Sequence, residues 1–347
     1  MADLRLSICI ATFKRADFIA ETLDSIVSQL QDGIEVVVVD GCSPDATADV
    51  VAAYEARCPQ LRYYREAENS GVDADYDKAV GYACGRHVWL MTDDDILVPG
   101  SVAEVLDLLD REDPDLLVVD TEIRDAKMHD LLQARRFGFE GLRRYGAGDG
   151  DRLLADAGDA LSFIGGTVVR RKLWLARDRQ HYYGSLFVHV GVLFQKPLAS
   201  ALCLGKPLVQ IRFGNAMWSA RGFEIWMFLW PQLIWSFAGF SDGAKASVTA
   251  REPWRVPRKI FGFRANGSYG MAEFRRFFAD RAVGLWRVGL LGFALMPGRL
   301  ANLLALVFLL ASGGRYRAAS YVLAWNSRFS SSLGRRLAAR SMIRHPA

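Results

Sequence analysis

Thr92-Asp93-Asp94-Asp95 is the stretch of this chain best equipped for chemistry. It directly follows the apolar run His87–Met91, and three adjacent acids repel one another unless a cation or solvent offsets the cost. Hard divalent cations take carboxylate oxygen, and magnesium or manganese leaves coordination positions open for substrate phosphates. The competing reading is a solvated acidic turn ahead of a helix that starts near Pro99. Three more polar clusters close or follow apolar runs: Thr12 to Arg15, Asp40, and Asn69 to Asp77.

The elements that must position these groups can be read from the hydrophobic periodicity. Leu4 to Thr12 reads as a buried strand, and Ile19, Leu23, Ile26, Val27 and Leu30 mark one face of an amphipathic helix. Ile34–Val39 is a mostly β-branched run that stops at Asp40, as in a strand covered on both faces. Ser43-Pro44-Asp45 offers a hydroxyl cap, a proline and an early acid for a helix reaching about Arg57. A strand at Leu61–Arg65, a helix from Asp73 to Cys84 and a strand at His87–Met91 follow. A helix after Pro99 and a strand at Leu116–Val119 complete the series. Such alternation predicts an α/β fold, a parallel sheet with helices on both faces, whose ligands bind beyond the carboxyl ends of the strands.

Taken together, the segments SICIATFKR (7–15), ETLDSIVSQ (21–29), VVVVDGCSPD (36–45), NSGVDADYDKAV (69–80) and WLMTDDDILVPG (89–100) resemble the donor-binding half of family 2 glycosyltransferases. Within that family the last two segments look most like the abequosyltransferase-like branch, which builds bacterial surface polysaccharide. The resemblance implies a GT-A fold, a nucleotide-diphosphate sugar as donor and a Mn2+ or Mg2+ cofactor. It places Thr12, Phe13 and Arg15 along the nucleotide, Asp40 against the base, and Asp93 at the ribose or sugar. Asn69, Asp73, Asp75 and Lys78 fall on the donor side, although Asp75 also reads as a helix N-terminal acid complementing the dipole. Asp94 is the implied principal metal ligand, with Asp95 beside it. The usual motif has an acid where this chain has Thr92.

A departing nucleotide diphosphate develops negative charge, which a bridging divalent ion stabilises more in the transition state than in the ground state. The attacking hydroxyl needs a base within about 3 Å. Inverting relatives commonly place a Glu-Asp pair about 90 residues past the metal motif, but the matching stretch here, Tyr182 to Val190, has no acid. His189, Asp159 and Asp178 are the candidate bases, and both an inverting and a retaining outcome stay open. A lone histidine between valines also reads as a core residue. A catalytically silent, nucleotide-binding scaffold is the reading from another class.

Residues 1–250 hold 36 acids against 26 bases, whereas 251–347 hold 17 bases against Glu252, Glu273 and Asp280. The expected division is a glycosyltransferase domain over 1–215, with its donor part to about 120, and a helical, apolar, arginine-rich region over 216–347. Val283–Met296 and Leu300–Ala311 reach only about 21 and 18 Å as helices, against a hydrocarbon core of about 30 Å. Membrane attachment in the plane of one leaflet is therefore expected, with Trp226, Trp230 and Trp235 in an interfacial belt and the arginines on anionic lipid. Buried core helices or a homodimer face are the alternative. A nucleic-acid partner is disfavoured because the basic stretch is strongly apolar. Five scattered cysteines without a C-x-x-C exclude a disulfide scaffold, and the opening residues lack a basic signal segment. The expected location is the cytoplasmic face of the inner membrane, and the expected acceptor is a saccharide on polyprenyl diphosphate.

Overall fold

The computed structural model describes residues 4–215, 217–312 and 316–344. Four strands, β1 (Leu6–Thr12), β2 (Ile34–Asp40), β3 (Leu61–Arg65) and β4 (His87–Met91), run parallel in the order β3-β2-β1-β4. Register aligns Thr12 with Asp40 and Asp40 with Arg65, while Met91 pairs with Ile10. The polar residues that end these strands therefore emerge along one edge of the sheet.

Helices α1 (Ile19–Val27), α2 (Thr47–Arg57), α3 (Val72–Tyr82) and α4 (Ser101–Glu112) alternate with the strands as the periodicity predicts. Leu6, Ile8, Ile10, Val36 and Val38 form one fully buried cluster with Ile19, Leu23 and Ile26 of α1. Each such side chain contributes about 1.5–3 kcal/mol through burial, so this sheet–helix layer fixes the strand ends firmly. The start of α2 differs from expectation. Ser43 does not cap it; its hydroxyl accepts the Lys14 amide (3.0 Å) instead. Asp45 accepts the backbone N–H and the hydroxyl of Thr47.

The sheet is mixed rather than parallel throughout. Its remaining strands are β5 (Ile96–Leu97), β6 (Leu116–Arg124), β7 (Leu131–Gln133), β8 (Gly141–Gly146), β9 (Thr167–Arg170) and β10 (Ser200–Arg212). The short β9 inserts antiparallel between β4 and β6, so β6 keeps the direction of β4 without touching it. Strand β10 pairs antiparallel with β8 and with β5, the latter through Gln210 to Ile96 and Val209 to Leu97. Three short helices, α5 (Gly150–Ala157), α6 (Arg171–Leu175) and α7 (Val188–Phe194), join these later strands.

The chain forms two compact units. The first comprises residues up to Glu122, Arg135–Arg212 and Leu233–Val248, and holds the sheet apart from β7 and the last two residues of β6. The second comprises Ile123–Ala134, Phe213–Gln232 and the residues from Thr249 onward. Its helices include Pro257–Asn266, Met271–Phe278, Gly284–Leu295, Gly298–Ala311 and Ser332–Arg344. Phe223, Tyr269, Phe278 and Trp254 build an aromatic core there, and the buried Asn302 donates its amide hydrogens to the carbonyls of Ala265 and Leu323. Trp230 is buried, with Trp226 edge-on against it.

Candidate active site

The segment after β1 turns back on itself, with Lys14 in the left-handed region (φ 58°). The Arg15 amide donates to the Thr47 hydroxyl (2.9 Å), which helps to fix that turn. The Arg15 side chain then reaches the acidic turn after β4: Nε lies 3.3 Å from Asp93 Oδ1, and Nη2 lies 3.3 Å from Asp94 Oδ2. Phe13 is half-buried at the same strand end, under the Lys14 ammonium. Thr12 is buried beside it.

The acidic turn is held from three sides. The Thr22 hydroxyl of α1 donates to the Asp95 carbonyl (2.8 Å), and the Tyr76 hydroxyl of α3 donates to the Met91 carbonyl (3.0 Å). Arg212, the last residue of β10, donates its backbone N–H to Asp95 Oδ1 (2.6 Å) and its Nε–H to the Asp94 carbonyl (2.9 Å). Its outer nitrogen pairs with Glu21, and its guanidinium lies over the Phe18 ring, 5.4 Å from the centroid. Asp95 Oδ2 accepts the Thr92 hydroxyl (2.5 Å). Asp95 thus has both oxygens engaged in fixing the turn, whereas Asp93 and Asp94 share the Arg15 guanidinium.

Burial, and then the neighbouring Asp94, push the Asp93 carboxyl up to about 7, against the pull of Arg15. The same two causes push Asp95 well above the usual carboxylate range. The Tyr76 phenol is raised by burial and then by the Asp93 charge. One guanidinium facing two crowded carboxylates leaves negative charge only partly offset. Among the described residues no three His, Cys, Asp or Glu side chains group to hold a metal ion by themselves. Asp93 and Asp94 nonetheless supply hard oxygen donors, which fit a divalent ion whose other positions are filled by phosphate and water.

The remaining donor-side residues form a second cluster at the same edge. Asp40 is fully buried, with Oδ1 accepting the Ser43 amide (2.8 Å) and Oδ2 accepting the Tyr63 hydroxyl (2.7 Å). Asp75 Oδ1 accepts the Ser70 hydroxyl (2.7 Å), and burial raises its pKa. Gly41 sits so close that a Cβ there would lie 2.6 Å from Asp75 Oδ2, which ties Asp75 to the end of β2. The Asn69 side-chain carbonyl accepts the Gly71 amide (2.9 Å), and Lys78 pairs with Glu66 (2.7 Å) while donating to Ser70. Asp73 does something else. Its two oxygens accept the amides of Leu186 and Val188, anchoring the loop that leads into α7.

The family model for glycosyl transferase family 2 matches residues 7–175, which takes in β1 to α6 and every strand-end cluster above. Residues 7–175 of this chain belong to glycosyltransferase family 2. The chain is a glycosyltransferase. It is 26% identical over 234 residues to abequosyltransferase RfbV of Salmonella typhimurium, covering 62% of this chain and 69% of that protein. It is 32% identical over 101 residues to the succinoglycan biosynthesis protein ExoO of Rhizobium meliloti, but covers only 28% of that protein's length. Among solved structures, S. aureus TarS 1–349 in complex with UDP superposes with a TM-score of 0.56 at 16% identity, over 93% of this chain and 90% of that one. The same protein with UDP-GlcNAc gives a TM-score of 0.54 at 18% identity, over the same shares of the two chains. These two likenesses establish the GT-A-like fold.

The three candidate bases of this glycosyltransferase sit in different settings. His189, on α7, is buried in the core, where its Nε2–H donates to the Leu161 carbonyl (2.7 Å). Asp159 is exposed and lies 3.7 Å from Arg136, next to a short turn at Ala160–Ser162. Asp178 accepts the His181 amide (3.3 Å) and opens the turn at Gln180–Tyr182.

Burial holds the His189 imidazole down to about 4 from its ordinary 6.5, so the fold keeps the ring neutral. A depressed folded pKa means that this stability is present above about pH 6.5 and is lost as pH falls toward 4. His189→Gln, which keeps a donor for Leu161 but cannot titrate there, is expected to flatten that acid limb by roughly 3 kcal/mol at most. Urea unfolding at a series of pH values measures it; identical acid limbs in the two proteins would remove His189 as the titrating group.

Arg212, Glu21, Thr22 and Tyr76 are the site residues that sequence reasoning missed. Glu21, Thr22 and Tyr76 lie inside segments already singled out for their resemblance. Arg212 carries no such signal, because it meets Asp95 across 117 residues and only through the pairing of β10 with β5.

Proposed function

We propose that this glycosyltransferase moves a sugar from a nucleotide-diphosphate donor to a hydroxyl of a bacterial surface glycan whose growing chain is lipid-linked. The observation that carries the reading is the meeting of Arg15 with Asp93 and Asp94 at the carboxyl ends of β1 and β4. Phosphate is the ligand that suits both signs of charge there. Arg15 can pair with phosphate oxygens directly. Asp93 and Asp94 would hold a divalent ion, Mn2+ or Mg2+, which when bound neutralises the charge growing on the departing diphosphate.

The protein's own part is to keep this charge pattern assembled before the donor arrives. Thr22, Tyr76 and Arg212 fix the backbone of the acidic turn, so its carboxylates need little reorganisation on binding. Phe13, half-buried at the end of β1, offers a flat apolar face to a base. The half-buried Tyr63 donates its hydroxyl to the buried Asp40 in the neighbouring cluster. Further support comes from TarS, solved with UDP and UDP-GlcNAc, and from relatives named for abequosyl transfer and succinoglycan biosynthesis.

A thermal-shift panel of UDP, GDP and CDP, each with and without Mn2+, tests the reading. Ligand at about 100 times its Kd adds about 2.7 kcal/mol, a Tm rise of several degrees. The expected result is a shift with one diphosphate that needs the metal. No shift with any of them, at any metal concentration, would overturn the donor site.

A further inference from the structure

The second compact unit presents apolar side chains in an unusual way. In Gly298–Ala311, Ala301, Ala305 and Leu306 face the protein interior, as an amphipathic helix requires. Its opposite face is apolar too: Leu300, Leu304, Val307 and Phe308 are exposed, Phe308 to 70%. Their i, i+4, i+7, i+8 spacing sets them in one stripe. Gly284–Leu295 repeats the pattern, with Leu290 and Ala294 buried while Leu285 (90% exposed), Val288 and Leu295 share the outer face. A helix that is apolar all round is ordinarily buried all round. Among the described residues no single helix is long and apolar enough to cross a membrane, and the pair is bent by 96° at the Met296-Pro297 break.

We propose that these two helices dock on an anionic lipid surface, lying in its headgroup plane with the outer apolar stripes in the acyl boundary. The charge around them selects this occupant. From Arg281 to the end of the sequence there are ten arginines and no acidic residue. Arg281, Arg287, Arg299, Arg328, Arg335, Arg336 and Arg340 are exposed. Arg299 stands in the first turn of its helix, where the helix dipole disfavours a cation and favours an anion. A lipid phosphate satisfies the guanidinium and the helix end together. Packing this face on a second copy would instead bring like charges together across a two-fold axis, a costly arrangement. Arginine on the polar side and leucine or phenylalanine on the other is the pattern of helices that lie on bilayers.

The inference is independent of the donor chemistry, because lipid binding requires no turnover. The full chain is mixed with vesicles of phosphatidylcholine alone or of phosphatidylcholine with phosphatidylglycerol, and sedimented. Binding is expected to be at least about tenfold tighter on the anionic vesicles and to weaken with salt. Leu304→Glu with Phe308→Glu, both at exposed positions, should lower it more than about tenfold with an unchanged thermal melt. Arg287→Gln with Arg299→Gln should lower binding to the anionic vesicles alone. Vesicle binding that ignores both pairs of changes overturns the proposal. So does a dimer in light scattering that Leu304→Glu with Phe308→Glu dissociates while vesicle binding persists.

Discussion

Asp94→Asn is expected to abolish sugar transfer while leaving the protein as stable as before, or more so. The amide keeps the shape of the carboxyl but removes its negative charge from a turn of three crowded carboxyl groups. Asp94 is a leading electrostatic cause, after burial, of the raised pKa values of Asp93 and Asp95, so its neutralisation relieves both. The activity loss follows from the same change, because a neutral side chain binds a divalent ion poorly and leaves Asp93 alone beside Arg15. Losing several kcal/mol of transition-state stabilisation corresponds to about a thousandfold in rate. Donor hydrolysis and transfer in Mn2+, measured beside the thermal melt, give both readouts. Undiminished turnover in the variant removes Asp94 from the metal and phosphate role. A large drop in Tm would mean that the carboxylate is structural. Loss of function with retained or gained stability is the expected signature of a site that holds repulsion for the sake of its ligand.

Arg212→Met is expected to cost both stability and metal affinity. The methionine fills much of the stem volume but withdraws the guanidinium from the Asp94 carbonyl, from Glu21 and from the face of Phe18. Removing one member of a buried charged pair costs about 3–5 kcal/mol. Glu21 is largely exposed, so solvent screens the charge left behind and the figure falls to about 2–3 kcal/mol. A purely structural residue would lower the melt and nothing else. Arg212 also fixes the backbone on which Asp94 stands, so the Mn2+ concentration for half-maximal activity should rise about tenfold, with partial recovery in Arg212→Lys. An unchanged Mn2+ requirement would confine Arg212 to folding.

Much of the site was legible because its residues end strands. A buried parallel strand reads as a β-branched or apolar run, and the first polar residue after it is where the chain leaves the sheet. Thr12, Arg15, Asp40 and the acidic turn were located in this way, and register then placed them along one edge. Roles were less legible than positions. Asp73 lies among the donor-side acids in sequence, yet its carboxylate takes the Leu186 and Val188 amides. His189 offered a base of suitable type, and the fold places it in the core. Asp95 looks equivalent to its neighbours in the sequence, but the Arg212 backbone and the Thr92 hydroxyl occupy its oxygens.

The sequence by itself determined the alternation of strands and helices up to Leu116, the edge where polar groups gather, the acidic turn and the family. All of these depend on periodicity and on near neighbours along the chain. Only the tertiary structure decided that β9 enters the sheet antiparallel, that β10 carries Arg212 onto the acidic turn, and that two helices of the second unit stay apolar on their outer faces. Periodicity reports which side chains turn inward. Which inward-facing groups then meet is settled by packing between segments far apart in the sequence, and no local pattern records it.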